Sequence, residues 1–293
     1  MDSHQTPPTF EMPKGACDSH IHLIGPHAQF PLARERLYTP GPATLQDLQH
    51  HQSRLGLERA VVVHATPQRE DCAYLLHALR NAPSRLRGVA PANNATRAEL
   101  LAMRSLGVRG IRLNLETGGM RDPRVAVDAL QRAARQACDA GLHLQLHAGN
   151  ELLTALAPAI RRLPAALVVD HFGRLDPAAG LESAGFRNLL DLVGGDRVYI
   201  KLSAFHRISG QPDYEDLGPF VRALARAGER RLLWGSDWPH PQRPPQGRGV
   251  SDKIDPYRPE DDGRCLNLLH KWLGDEKAFA SILVHNTQEL FEF

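Results

Sequence analysis

Eight short apolar or β-branched runs, separated by longer stretches that mostly carry helical periodicity, constrain this chain more than any other feature. The runs are Ala16 to His22, Ala60 to Ala65, Gly88 to Pro91, Gly110 to Asn114, Leu142 to His147, Leu167 to His171, Val198 to Ser203 and Leu232 to Asp237. Continuous apolar runs of this length, bounded by turn residues, read as strands buried on both faces, as a helix-covered parallel sheet requires. Between them, Thr44 to Leu55, Thr96 to Leu106, Arg124 to Ala140 and Asn150 to Leu163 have helical spacing. Thr96 with Glu99 forms a capping-box pattern, and Gly56, Gly107 and Gly141 stand where helices end. Eight such units predict an α/β protein: a single-domain (β/α)8 TIM barrel over residues 15–293, with 1–14 a flexible N-terminal tail. A doubly wound sheet would need a Gly-rich phosphate turn after the first strand, and Leu23-Ile24-Gly25-Pro26 is not one.

Composition narrows the partners. At 293 residues and 42% hydrophobic the chain can bury a large core. A net charge of +2 from 35 basic and 33 acidic residues gives no general attraction to nucleic acid or to an anionic membrane. The apolar runs are strand-sized and the N-terminus is polar and Pro-rich, so a soluble cytoplasmic protein is expected. Cys17, Cys72, Cys138 and Cys265 form no C-x-x-C pair and are expected to be reduced thiols packed as small hydrophobes. Nothing in the sequence speaks to oligomeric state.

Function is expected where the strands end. On a barrel those ends share one funnel. They carry His20 and His22 on strand one, His64-Ala65-Thr66 on strand two, Arg112 on strand four and His147 on strand five. Strand six supplies Asp170-His171, strand seven Lys201 to Ser203, and strand eight Gly235-Ser236-Asp237-Trp238-Pro239-His240. His20 and His22 are two apart, so a strand points both to one face. Two uses stay open. His20, His22, His147 and Asp237 could bind one divalent ion, with Zn²⁺ suiting three imidazoles and a carboxylate. Alternatively the imidazoles polarise a carbonyl directly while Asp237 takes a proton from water. Lys201 reads as the partner of a neighbouring carboxylate, and His50-His51 as solvated surface. The loops 25–42 and 239–259 are long, Pro-rich and placed to overhang the mouth.

These motifs, with Arg36-Leu37-Tyr38-Thr39-Pro40, Gly110-Ile111-Arg112-Leu113-Asn114 and Asp170-His171-Phe172-Gly173-Arg174, resemble the amidohydrolase superfamily. Within it the likeness is to the 2-pyrone-4,6-dicarboxylate lactonase group. The resemblance implies a hydrolase that opens small carboxylated lactones, with Asp237 as the base for water. On the leading reading His20, His22 and His171, with His147, polarise the carbonyl and stabilise the oxyanion, directly or through one Zn²⁺-like ion. The resemblance also implies that Arg112 and Arg207 bind substrate carboxylates, with contacts from Tyr38 and Thr66. In that group the known enzyme works without a metal. This chain departs twice: it has Gly118 where the group carries a second arginine, with Arg121 the nearest replacement, and His147 where the group has tyrosine. Histidine there resembles metal-using members of the superfamily. A metal-dependent decarboxylase of a small aromatic or unsaturated acid is the alternative activity, and a non-catalytic barrel that binds a small acid the third reading.

Overall fold

The structure, a computed structural model, describes residues 5–242 and 252–293. Eight parallel strands stand side by side in sequence order: β1 (Cys17–Ile21), β2 (Arg59–Val63), β3 (Leu86–Pro91), β4 (Val108–Asn114), β5 (His143–His147), β6 (Leu167–Val169), β7 (Val198–Ser203) and β8 (Leu232–Gly235). The seam between first and last strand is joined by a parallel bridge of Ile21 to Trp238 and by His22 N donating to Trp238 O at 2.8 Å. This is the expected (β/α)8 barrel. Its main outer helices are α1 (Leu45–Leu55), α2 (Ala73–Asn81), α3 (Arg97–Ser105), α4 (Pro123–Asp139), α5 (Asn150–Ile160) and α6 (Ala184–Val193). A short α7 (Phe205–Ile208) follows β7, ahead of α8 (Gly218–Gly228), α9 (Asp262–Leu273), α10 (Glu276–Ala280) and α11 (Asn286–Phe291).

The helices form where the sequence carries their signals. Thr96 and Glu99 close a reciprocal capping box on α3, Thr44 and Asp47 do the same on α1, and Gly56 ends α1 at φ 73. Helix α4 buries Ala126, Leu130, Ala133, Ala134 and Ala137 on one face, and its four small alanines let it lie close to β4 and β5. Inside the barrel, Cys17, Val61, Val63, Val89, Val168, Tyr199 and Leu233 pack with Phe291 into an apolar layer. Side chains on alternate positions nearer the mouth are polar.

Four strands stop short of expectation: β1 at Ile21, β2 at Val63, β6 at Val169 and β8 at Gly235. The last two do so because His171 (φ 49) and Asp237 (φ 73) are left-handed and cannot continue a strand. The expected loose tail is fastened over its described residues. Gln5 Nε2 donates to Glu260 O at 2.9 Å, Thr6 N to the Asp261 carboxylate at 2.9 Å, and the Phe10 ring stacks on His270. Cys17, Cys72 and Cys265 are buried thiols as expected; Cys138 is free and exposed. No helix among the described residues is long and apolar enough to cross a membrane.

The two long loops meet over the mouth. Thr39 N donates to Asp255 Oδ2 at 2.8 Å, Asp255 N donates back to Thr39 O at 2.7 Å, and Tyr257 OH donates to Gly41 O. Residues 243–251 of the second loop lie outside the described residues.

Candidate active site

The first and last strand motifs meet across the seam because Asp18 fastens them. Its Oδ1 accepts from His20 N and Ser236 N, each at 3.0 Å, and its Oδ2 from Ser236 Oγ at 2.5 Å. Asp237 N donates to His20 O at 2.9 Å. The left-handed backbone at Asp237 and His171 costs side-chain-bearing residues of order 1–2 kcal/mol each, and it turns both side chains into the funnel.

Asp237 Oδ1 is the point of convergence. His22 Nε2 lies 3.3 Å away, His20 Nε2 3.7 Å and His171 Nε2 3.9 Å. Its other oxygen, Oδ2, accepts from Arg207 Nε at 2.8 Å. Burial disfavours the charge on Asp237, but the Arg207 guanidinium and the surrounding imidazoles hold its carboxyl well below the usual range. Burial likewise keeps His20 and His171 neutral, with His20 pushed down to about 3.

The donor set fits a divalent ion. His22 Nδ1 sits 2.8 Å from Val63 O, an acceptor only, so Nδ1 carries the proton and Nε2 presents a lone pair. His20 Nε2 is buried with no hydrogen-bond partner. One atom each from His20, His22 and Asp237 lie within 4.8 Å of one another. Tetrahedral ligands about 2.0–2.1 Å from a Zn²⁺ would stand roughly 3.3–3.4 Å apart, close to the observed spacing. A second group, His20, Asp170 and His171, is equally compact, but Asp170 is already committed. Its Oδ2 accepts from Arg112 Nε and Nη2, both at 2.8 Å, and its Oδ1 from Gln145 Nε2 at 2.8 Å.

Of the other expected residues, Tyr38, Thr66, Arg112, His147 and Arg207 all line the same small cavity of about 60 Å³ above the cluster. His147 does not join the converging atoms. Its ring stands 5.2 Å from that of His171, and both of its nitrogens are buried without a partner. Among the four ligands expected for a metal, the structure groups His20, His22 and Asp237, and His171 is the next imidazole. Arg121 is elsewhere: its side chain is 66% exposed, pairs with Glu116 and lines a separate cavity beside Asn150 and Arg174.

Several roles were misjudged or missed. Lys201 does not meet a carboxylate within hydrogen-bond distance; it is fully buried and donates to Ser19 O at 2.6 Å and Gln145 Oε1 at 3.0 Å. His51 is not on the surface. It is buried against Trp238, with Nε2 3.3 Å from Asp262. Asn114 was noted at its strand end but given no role, and Gln145 and Thr117 were given none either, although Gln145 lies between His143 and His147 on the inward face of β5, where the two-residue period could have found it. The small cavity shares Thr66, Arg112, Asn114 and Thr117 with a wider one of about 500 Å³.

A family model described as amidohydrolase matches residues 17–293. The chain belongs to the amidohydrolase family. Within the family it is 36% identical to 4-sulfomuconolactone hydrolase of Rhizobium radiobacter, over 99% of this chain and 94% of that one. It is 34% identical to 2-pyrone-4,6-dicarboxylate hydrolase of Comamonas testosteroni, over 97% and 92%. A crystal structure of a probable 2-pyrone-4,6-dicarboxylic acid hydrolase from Acinetobacter baumannii with citric acid bound superposes at TM-score 0.78 and 26% identity. It covers 95% of this chain and 100% of that one.

Proposed function

We propose that this amidohydrolase opens the ring ester of a small lactone bearing an anionic group, with one divalent ion, Zn²⁺ by its ligand set, held by His20, His22 and Asp237. The observation that carries the reading is the convergence of two imidazole nitrogens and a carboxylate oxygen at one buried point, with His20 Nε2 given no partner by the protein. The relatives named above, hydrolases of carboxylated or sulfonated lactones, support hydrolysis over the decarboxylation considered from sequence.

A divalent ion bound there supplies Lewis-acid polarisation of the ester carbonyl and acidifies a water. The chain's own residues do the rest. Arg112 spends Nε and Nη2 on Asp170, which leaves Nη1 to pair with a ligand carboxylate in the cavity. Asp237, ionised because Arg207 and the surrounding imidazoles together outweigh burial, takes a proton from water as the oxygen attacks the carbonyl carbon. It returns that proton to the ring oxygen as the C–O bond breaks, and the product is an open-chain acid. Ser203 Oγ, 2.8 Å from His171 Nδ1, can donate to that nitrogen, so that His171 Nε2–H faces the oxygen that gains charge.

The test is a lactone panel, with and without carboxylate or sulfonate groups, assayed on protein of measured metal content. Expected are about one equivalent of metal, preference for the anionic lactones, and loss of activity on exhaustive chelation that Zn²⁺ restores. Failure of the metal-loaded protein to open any anionic lactone overturns the hydrolase reading. Full activity after chelation overturns the ion and leaves the imidazoles to polarise the carbonyl.

A further inference from the structure

Between the catalytic funnel and the apolar layer of the barrel lies a buried polar group of which the mechanism above uses only the grip of Asp170 on Arg112. Lys201 on β7 and Gln145 on β5 are fully buried, and Asp170 after β6 is 1% exposed. They form a chain. Lys201 Nζ donates to Gln145 Oε1 at 3.0 Å, which fixes the amide so that its Nε2 donates to Asp170 Oδ1 at 2.8 Å. The same Asp170 oxygen lies 3.3 Å from His20 Nδ1. Polar groups so deep are costly unless each finds a partner, and these partners lead to one imidazole nitrogen.

That nitrogen has two suitors. Asp170 Oδ1 can only accept from it, which places the proton on Nδ1 and the lone pair on Nε2. Lys201 Nζ, 3.5 Å from the same Nδ1, can only donate to it, which would force the proton onto Nε2. The two tautomers have opposite consequences, since a protonated Nε2 cannot ligate an ion beside Asp237. The contacts favour Asp170. The anionic oxygen is the nearer, and Lys201 has stronger bonds to Ser19 O and Gln145 Oε1 at 2.6 and 3.0 Å.

We propose that Asp170 is a positioning residue that holds His20 in its Nδ1–H tautomer, with Gln145 keeping the Lys201 ammonium off that nitrogen. Asp170 also grips Arg112 through its other oxygen, so one carboxylate sets both the imidazole and the guanidinium that meets the ligand. The inference rests on the reading above for the part His20 plays, but the tautomer can be read whether or not a lactone is turned over.

The experiment is ¹⁵N NMR of histidine-labelled full-length protein after chelation, with the His20 signals identified by their loss in His20→Gln. Native protein is expected to show pyrrole-type Nδ1 and pyridine-type Nε2. Lys201→Met, which removes the competing donor, should keep that pattern. Gln145→Leu, which frees Lys201 to turn to Nδ1, and Asp170→Asn should move the proton to Nε2. Both should also weaken Zn²⁺ binding about 10–100-fold by calorimetry. Gln145→Leu spares the Asp170–Arg112 pair, so it decides the matter if Asp170→Asn does not fold. A protonated Nε2 in the native protein overturns the proposal, as does an Nδ1–H signal unchanged in Gln145→Leu.

Discussion

Asp237 and Arg112 carry the sharpest consequences of single side chains. Asp237→Asn keeps the shape and the backbone bond to His20 O but removes the base, so kcat should fall at least about 100-fold with the fold intact. Stopped-flow or end-point assay beside circular dichroism checks both halves, and a variant with native kcat would sink the role. Arg112 is a different case because its fork already grips Asp170 with two bonds of 2.8 Å. Lysine keeps the charge and loses the fork, so Arg112→Lys should raise KM for an anionic lactone by roughly 10–100-fold while kcat changes less. Equal loss in kcat with KM unmoved would instead place Arg112 among groups that act only in the transition state. At this scale the meeting of His20, His22 and Asp237 was legible, because residue type and strand-end position mark them together. The sequence was silent where identity depends on a partner: nothing about Arg112 in isolation says that Asp170 holds it, and the ordinary-looking Gln145 turns out to face a lysine and an aspartate at once.

Among elements, the segment leaving β8 matters most because it carries Asp237 and then has to be held. His240 N donates to Asp237 O at 2.8 Å, and His240 Nε2 lies 3.1 Å from Asp262 Oδ1 at the start of α9. Burial works against charging either group, yet each raises the other's charged form: His240 is shifted up from 6.5 and Asp262 down from 3.8. His240 therefore contributes its full stability below pH 6.5 and loses it as pH rises through its raised folded value. Asp262 contributes fully above pH 3.8 and loses it as pH falls through its lowered one. The pair is whole between those limits. Replacing His240 by Phe leaves the buried Asp262 carboxylate with only the neutral His51 imidazole close by and should cost about 3–5 kcal/mol at pH 6. Urea unfolding at pH 6 and pH 8.5 should show the native protein losing this contribution on the alkaline side, and the variant having none to lose; parallel curves would refute the pairing. Loops 25–42 and 239–259 were readable as overhanging the mouth, but not as joined by Thr39 and Asp255. Such cross-loop bonds leave no periodic trace in a sequence.

For the whole molecule, the alternation of strands and helices made the barrel legible in advance, because eight βα units admit few closed arrangements. What stayed hidden was how much polarity the barrel would bury. His51, His64, His143 and His206 are pushed down by burial to about 4, 3, 3 and 3. Each binds a proton in the unfolded chain below pH 6.5 that the folded protein refuses, so stability is lost as pH falls from 6.5 toward those values. The loss is at most about 1.4 kcal/mol per pH unit for each histidine. Urea midpoints should drop steeply between pH 6.5 and 5, and His143→Gln, remote from the mouth, should soften the slope. Equal midpoints at the two pH values would show the imidazoles to be charged in the folded state. The seam between β1 and β8 has a further bearing on how the molecule comes into being. Synthesised from its N-terminus, the chain emerges with His20 and His22 early, while Asp237 and the Ser236 contacts of Asp18 come only with the eighth strand. A nascent chain halted after β7 has two open sheet edges and no base. On the mechanism proposed above, chemistry begins only when the last strand arrives, and a chain still short of β8 holds its imidazoles with no reaction to serve.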